Sequence, residues 1–278
     1  LAKLLEIPAV LGVSQATTKI KTKNVVGING KRGEVFVSPN ETQLDILCKK
    51  LKAKFGCEAV LRSPKVAFKE TITGVSEAEG KHKKQSGGAG QYGVVNIKFE
   101  PGASDGQFEF VDAVVGGAVP RQFIPAVEKG LREAMAKGVL AGYPMTNLKC
   151  TLFDGKYHPV DSKEVAFVSA AKLAYEDACL RAKPVILEPV MKVTVIAPDT
   201  YLGDIMGDVN KRRGRILGTE QVDDKSVVTC EVPEIELLEY AQDLRSLTQG
   251  RGFFAMEFAR YEEVPFDQTN KIIEASKE

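Results

Sequence analysis

The chain has 278 residues, of which 44% are hydrophobic and 27% charged, with a formal net charge of +1. That balance excludes a disordered chain, and the length suggests two or three domains rather than one core. No apolar run approaches the roughly 20 residues of a membrane-spanning helix and no signal-peptide pattern opens the sequence, so a cytoplasmic chain with no membrane partner is expected.

The five cysteines (Cys48, Cys57, Cys150, Cys179, Cys230) are scattered and never spaced as C-x-x-C. They read as reduced, mostly buried thiols of a cytosolic protein. A net charge near zero argues against a protein coated in nucleic acid. The charge is nevertheless clustered, in Lys81-His82-Lys83-Lys84, in Lys211-Arg212-Arg213 with Arg215, and in the lysines of 49–54. Focused basic patches on a neutral body suit contact with RNA at a few points.

Residues 1–40 carry strand-like segments at 9–13 and 34–37, with Asn29-Gly30 as a turn signal between them. The spacing of Leu44, Leu47, Cys48, Leu51 and Phe55 predicts a helix over 43–56, stopped by Gly56. A strand at 58–61 leads to the breaker Ser63-Pro64, and a first boundary falls near Thr71. The middle region predicts strands at 94–99 and 107–111 and a helix over 121–137 with Ile124, Val127, Leu131 and Met135 on one face. A strand at 148–153 follows, then a helix over 162–181 with Val165, Val168, Leu173 and Ala174 inward and Asp161 or Ser162 as its cap.

From residue 190 the order is strand (190–196), helix (201–213), strand (215–221), strand (226–232), helix (234–247), strand (253–261). Tyr201, Ile205 and Val209 line one helix; Leu237, Tyr240, Ala241 and Leu244 line the other. This βαββαβ order is the ferredoxin-like, split-βαβ plan.

Two phosphate-loop lookalikes lack the context they need. Gly88-Ala-Gly-Gln-Tyr-Gly93 fits G-x-G-x-x-G, but a lysine-rich segment precedes it and a strand follows, where a dinucleotide site needs strand then helix. The run 74–82 has one residue too many before Gly80-Lys81, a histidine where Ser or Thr should hold magnesium, and two glutamates that would repel phosphate. With only His82 and His158 in the chain, and no G-x-S-x-G or H-E-x-x-H motif, neither a hydrolytic triad nor a metal site is expected.

Two polar loops remain unusual. The segment 81–93 (KHKKQSGGAGQYG) leads from basic residues into a glycine-rich tip, where a backbone can approach RNA, amides can read base edges and a tyrosine can stack. A flexible solvated hairpin is the equal alternative. The segment 154–162 sets Tyr157 and His158 at a turn before a helix, and on the residues alone an ordinary capped turn is the favoured account of it. The run Lys211–Arg215 carries more cations than a helix C-terminus requires, which favours phosphate contact over stabilisation of the helix dipole alone.

Residues 41–265 resemble the C-terminal half of elongation factor G. ETQLDILCKKLKAKFG is similar to the helix closing that family's third domain, and SPKVAFKETI to the passage into the fourth. QSGGAGQYG and YHPVDSKEVAF resemble the two tip loops of the fourth domain. PVMKVTVIAPDTYLGDIMGDVNKRRGRILG and YAQDLRSLTQGRGFFAMEFARYEEVP resemble the fifth almost throughout.

The resemblance implies an α+β, multidomain chain: ferredoxin-like βαββαβ domains at 1–70 (with 1–40 poorly matched) and 188–278. They flank a ribosomal protein S5 domain-2-like domain at 71–187 with a left-handed βαβ crossover. It implies a part of a translational GTPase whose GTP and magnesium belong to an N-terminal domain absent here, so that this chain has no cofactor or catalytic residue of its own. The implied partners are the ribosome (decoding centre, sarcin–ricin loop and stalk base), tRNA and mRNA, for a protein acting as a monomer.

The implied tip residues are Lys83, Lys84, Gln85, Ser86, Gly87, Gly88, Gly90, Gln91, Tyr92, Tyr157, His158, Asp161 and Ser162. The implied ribosomal-RNA contacts are Lys211, Arg212, Arg213, Arg215, Arg245 and Arg251. Ala89 stands where the family usually has arginine, and Pro159 where an acidic residue follows the tip histidine. An elongation-factor-G-like paralogue serving recycling or another step therefore stays open beside the translocase, as does a ribosomal protection protein of the tetracycline-resistance kind.

Overall fold

The computed structural model describes residues 26–29, 34–37, 52–53, 56, 66–85, 90–103 and 106–276. The chain falls into two compact units, Leu1–Pro64 and Lys65–Glu278.

In the first unit β1 (Val26–Asn29) pairs antiparallel with β2 (Glu34–Val37), with Asn29 opposite Glu34. The strand expected at 34–37 is present, while its partner is a strand the sequence pattern did not mark. Gly56 takes φ +66° and donates its amide to the Lys52 carbonyl at 3.1 Å, the left-handed helix stop that glycine accommodates without cost. The strands expected at 9–13 and 58–61, and the rest of the 43–56 helix, lie outside the described residues.

The second unit begins with β3 (Lys69–Ile72), followed by β4 (Ser76–Lys84), β5 (Gln91–Pro101) and β6 (Phe108–Asp112). A 3-10 turn, Arg121–Phe123, opens α1 (Ile124–Met135), with Pro125 in its first turn, where the missing N–H costs nothing. Then come β7 (Leu148–Lys156) and α2 (Glu164–Arg181). Strands β4, β5, β7 and β6 form one sheet in that order, antiparallel except for the parallel pair β6–β7. A parallel pair needs a crossover, and α1 supplies it.

Strand β4 is the largest correction to the sequence reading, which left 81–93 as a loop. Its inward positions are Ser76, Ala78 and Gly80, too small and polar to register as a hydrophobic strand. The reason for their size lies on α2, whose buried face is Ala166, Ala170, Ala171, Ala174 and Ala178 with Phe167, Tyr175 and Cys179. A helix and a strand both lined with small side chains approach closely. The larger aliphatics expected inward go outward instead: Val165 is 59% and Leu173 46% exposed. Phe123 stacks on Phe167 at 4.7 Å between ring centroids, and Val127, Leu131 and Met135 of α1 close the core as their spacing predicts.

The last body starts with β8 (Pro184–Pro198) and a 3-10 turn at Asp199–Tyr201, then α3 (Leu202–Lys211), β9 (Arg215–Val222) and β10 (Lys225–Pro233). A 3-10 turn (Glu234–Leu237), α4 (Tyr240–Leu247), β11 (Phe253–Glu263) and α5 (Phe266–Ala275) complete it. The antiparallel order β11-β8-β10-β9 is the ferredoxin-like arrangement. Val193, Val195, Val228, Cys230 and Val232 meet Ile205, Val209, Leu237, Tyr240 and Leu244 in one core. Ala241 is exposed rather than inward, and α5 has no counterpart in the sequence reading.

Strand β3 extends this sheet by pairing with the start of β8, Lys69 opposite Leu187 and Ile72 opposite Pro184. Phe68, Ile186, Val264 and Ile272 form a third buried cluster at that point. Cys150, Cys179 and Cys230 are free and buried. Burial pushes the Cys150 thiol well above its usual range, Cys179 up to about 12 and Cys230 to about 11, so these three are chemically inert at neutral pH.

Candidate nucleic-acid interface

The strands β4 and β5 run as one hairpin, with His82 opposite Gly93, Lys83 opposite Tyr92 and Lys84 opposite Gln91. The run 74–82 therefore enters a strand, and the G-x-G-x-x-G run leads into β5, so neither opens a helix. Lys83, Lys84 and Gln85 are exposed, and Gly90, Gln91 and Tyr92 half-buried. Ser86, Gly87, Gly88 and Ala89 lie outside the described residues. His82 Nε2 and Gln91 Oε1 are 3.0 Å apart across the hairpin.

The loop between β7 and α2 folds against this end. Tyr92 donates its amide to the Asp161 carbonyl at 3.0 Å, and the Ser162 hydroxyl donates to the Tyr92 carbonyl at 2.8 Å. His158 donates its own amide to Ser162 Oγ at 2.8 Å, and its ring sits edge-on to Tyr92, 6.4 Å between centroids. Asp161 and Ser162 are thus engaged in joining the two loops. They do not cap α2, whose N-cap is Lys163, in extended conformation and without a side-chain hydrogen bond. Tyr157 and His158 project outward, 47% and 51% exposed respectively. Of the tip residues expected from sequence, Tyr92, Tyr157, His158, Asp161 and Ser162 are brought together, with Lys83, Lys84, Gln85, Gly90 and Gln91 on the adjoining strand ends.

The six cations of the last body do not form one patch. Arg212, at the C-terminal end of α3, reaches Asp243 in the first turn of α4 at 2.5 Å. Arg251, beyond the C-terminal end of α4, lies over the Tyr201 ring before α3 at 5.7 Å. The two helices are therefore antiparallel. Lys211, Arg212, Arg213 and Arg215 lie at and just beyond the C-terminal end of α3. Arg251 lies beside its N-terminal end, about 15 Å of helix away, while Arg245 sits between them on α4, two residues past Asp243.

Two of the six are also committed internally. Arg212 bonds Asp208 at 2.7 Å, the Glu236 carbonyl at 2.7 Å and Asp243, and lies over the Tyr240 ring. Burial works to lower its pKa, but the hydrogen bonds to Asp208 and Asp243 outweigh it and the net shift is upward. Arg213 makes a two-pronged pair with Glu188 at 2.7 and 2.9 Å and a bond to Glu236 at 3.0 Å. The bond to Glu188, opposed by burial and assisted by Glu236, raises its pKa too. Side-chain exposure is 13% for Arg212 and 25% for Arg213, whereas Lys211, Arg215, Arg245 and Arg251 are exposed. The acceptors Asp208, Glu188, Glu236 and Asp243 carried no sequence expectation. Asp208 was findable as the i,i+4 partner of Arg212; Glu188, distant in sequence, gave no local signal.

Both helix ends share one backbone solution. After α3, Arg213 takes φ +58°, its amide donating to the Asn210 carbonyl at 3.2 Å while Gly214 donates to Val209 at 2.8 Å. After α4, Gln249 takes φ +51° and Gly250 donates to the Arg245 carbonyl at 2.8 Å. These are Schellman closures with a non-glycine residue in the left-handed position. Gly214 cannot carry a side chain, because a Cβ there would lie 2.6 Å from Val209 Cγ1 and 2.7 Å from the Val209 carbonyl oxygen.

Residues 64–183 match the family described as elongation factor G, domain IV, and residues 185–272 match the elongation factor G C-terminus. Over 243 residues the chain is 49% identical to elongation factor G of Mycoplasma pneumoniae and equally to that of Mycoplasma genitalium. Each match covers 87% of this chain and 35% of the relative, so the chain spans about a third of the length of these relatives. A crystal structure from Thermus thermophilus superposes with a TM-score of 0.79 at 40% identity, covering 91% of this chain and 38% of that one. With the loop-bearing body and the ferredoxin-like body each matched in sequence order, the chain belongs to the elongation factor G family, of which it carries domain IV and the C-terminal domain.

Proposed function

We propose that this chain is the ribosome-engaging part of an elongation-factor-G-type translational GTPase, which promotes movement of tRNA and mRNA during protein synthesis. The observation that supports it most is the joined pair of loops at one end of the middle body, where Tyr157 and His158 project from a base tied by Ser162 and Asp161. In this reading the chain divides at 1–70, 71–187 and 188–278. Its tip, including Lys83–Gly88 and Gly90–Tyr92, enters the decoding centre, while the last body meets the sarcin–ricin loop and stalk base. GTP and magnesium belong to an N-terminal domain, and the protein acts as a monomer in the cytoplasm. Ala89 and Pro159 favour an elongation-factor-G-like paralogue as the second reading.

Phosphate contact in the last body falls to Lys211, Arg215, Arg245 and Arg251, with Arg212 and Arg213 shaping the helix end. Cations spread along a helix pair fix orientation without reading sequence. Replacing these four exposed residues by alanine should change stability by about 0.5 kcal/mol or less at each position. It should flatten the slope of log affinity for ribosomes against log salt by roughly three, because each phosphate contact releases counterions. An unchanged slope in a sedimentation or filter-binding series would reject RNA contact by these residues.

A further inference from the structure

The loop that carries His158 closes on itself. The His158 carbonyl accepts from the Ser162 amide at 3.1 Å, and two further amides point at the imidazole. Val160 N–H donates to His158 Nδ1 at 3.3 Å and Asp161 N–H donates to the same atom at 3.2 Å. An Nδ1 that receives two amide hydrogens cannot carry its own, because three hydrogens would converge on one point. The ring proton then resides on Nε2, the outer nitrogen of a half-exposed side chain. Asp161 Oδ2, 3.4 Å from Nδ1, does not form the hydrogen bond that would draw a proton to that side.

We infer that His158 is a fixed single-proton donor, presenting Nε2–H outward, and that the tip therefore selects a hydrogen-bond acceptor, a phosphodiester oxygen of RNA. Ser162 is the positioning residue. Its one hydroxyl proton goes to the Tyr92 carbonyl and its lone pair takes the His158 amide, so both functions of the group are spent on holding the histidine loop against β5. Gly90 lets the other loop close in, since a Cβ there would lie 2.5 Å from Asp161 Oδ1. A ring held in this way offers a donor where the phosphodiester groups of RNA offer only acceptors, and loses little rotational entropy on contact. The inference rests on the RNA-contacting reading of the tip for its ligand, but not for its tautomer.

The chain has two histidines, so a ¹⁵N-labelled sample with His82→Gln as the assignment control isolates the His158 ring. At about pH 8, above the usual imidazole range, two-bond ¹H–¹⁵N spectra should show a pyridine-like Nδ1 and a pyrrole-like Nε2. Ser162→Ala should average the two tautomers and Ser162→Thr should restore the single one. A protonated Nδ1, or an averaged ring in the unaltered protein, would overturn the assignment. Ribosome binding supplies the second arm, since a Gln amide nitrogen can occupy the place of Nε2 and an Asn amide cannot. His158→Gln should bind within about threefold of the parent, while His158→Asn and His158→Ala lose about tenfold. Retention by Asn with loss by Gln would overturn the donor assignment. Parental binding by all three, with the ring spectrum as expected, would instead refute RNA contact at the tip.

Discussion

Replacing Glu70 with alanine should destabilise the second unit by about 4 kcal/mol or more, one of the two largest single-residue effects expected in this protein. Glu70 is wholly buried and its carboxylate accepts four backbone amides. Oε2 takes those of Val139 and Leu140 at 2.7 and 2.9 Å, and Oε1 those of Ala141 and Tyr143 at 2.9 and 3.1 Å. Its own amide donates to the Pro144 carbonyl and its carbonyl accepts from Thr146. The segment from α1 to β7 has no regular ladder of its own, and this one side chain takes four of its main-chain amides. Alanine would leave four part-buried amide donors without their partner, each costing about 1 kcal/mol. Glu70→Gln tests charge against shape: its NH₂ would face two amide donors, so a loss of about 3 kcal/mol is expected even at equal volume. Urea unfolding followed by near-ultraviolet spectroscopy measures both, and a loss under 1 kcal/mol for Glu70→Ala would show that water replaces the carboxylate.

Arg213→Ala should cost about 3 kcal/mol, because Glu188, 4% exposed in its side chain, would keep a buried charge without its partner. The backbone makes the prediction sharper. Arg213 sits in the left-handed region at φ +58°, a conformation that costs an ordinary residue about 1 kcal/mol and glycine almost nothing. Arg213→Gly should therefore be less destabilising than Arg213→Ala by about 1 kcal/mol, although it removes more atoms. Adding Glu188→Gln to Arg213→Ala should recover part of the loss, as the orphaned charge disappears. Equal stabilities for the alanine and glycine variants would mean that the left-handed backbone is not strained here. An unperturbed Arg213→Ala would return this arginine to the set available for RNA.

The sequence made the last body legible almost throughout because its strands alternate and its helices carry Ile205 and Val209 or Leu237, Tyr240 and Leu244 at helical spacing. Strand β4 was not legible, since packing against an alanine-lined helix favours Ser76, Ala78 and Gly80, which carry no apolar signal. The same tight packing sent Val165 and Leu173 to the surface, against their hydrophobicity. At the candidate site, residue types were readable and partners were not. Arg212 and Arg213 read as surface cations until Glu188, Glu236 and Asp243 came into place across the fold, and Ser162 read as a helix cap until Tyr92 appeared beside it. Glu70 had no signal at all, because its partners are main-chain amides that any sequence would supply.

The central claim is that the two bodies touch two different parts of the ribosome, the tip of the middle body meeting the decoding centre and the last body meeting the large subunit. Iron-tethered hydroxyl-radical probing tests it directly. The buried thiols of Cys150, Cys179 and Cys230 leave Cys48 and Cys57 to be replaced by serine, after which single tethering cysteines can be placed at Tyr157 and, separately, at Lys211. With the chain bound to ribosomes, Tyr157→Cys should cleave small-subunit RNA around the decoding centre. Lys211→Cys should cleave large-subunit RNA at the sarcin–ricin loop or stalk base. Cleavage of the same RNA region from both positions, or none from Tyr157→Cys while binding persists, would contradict the account.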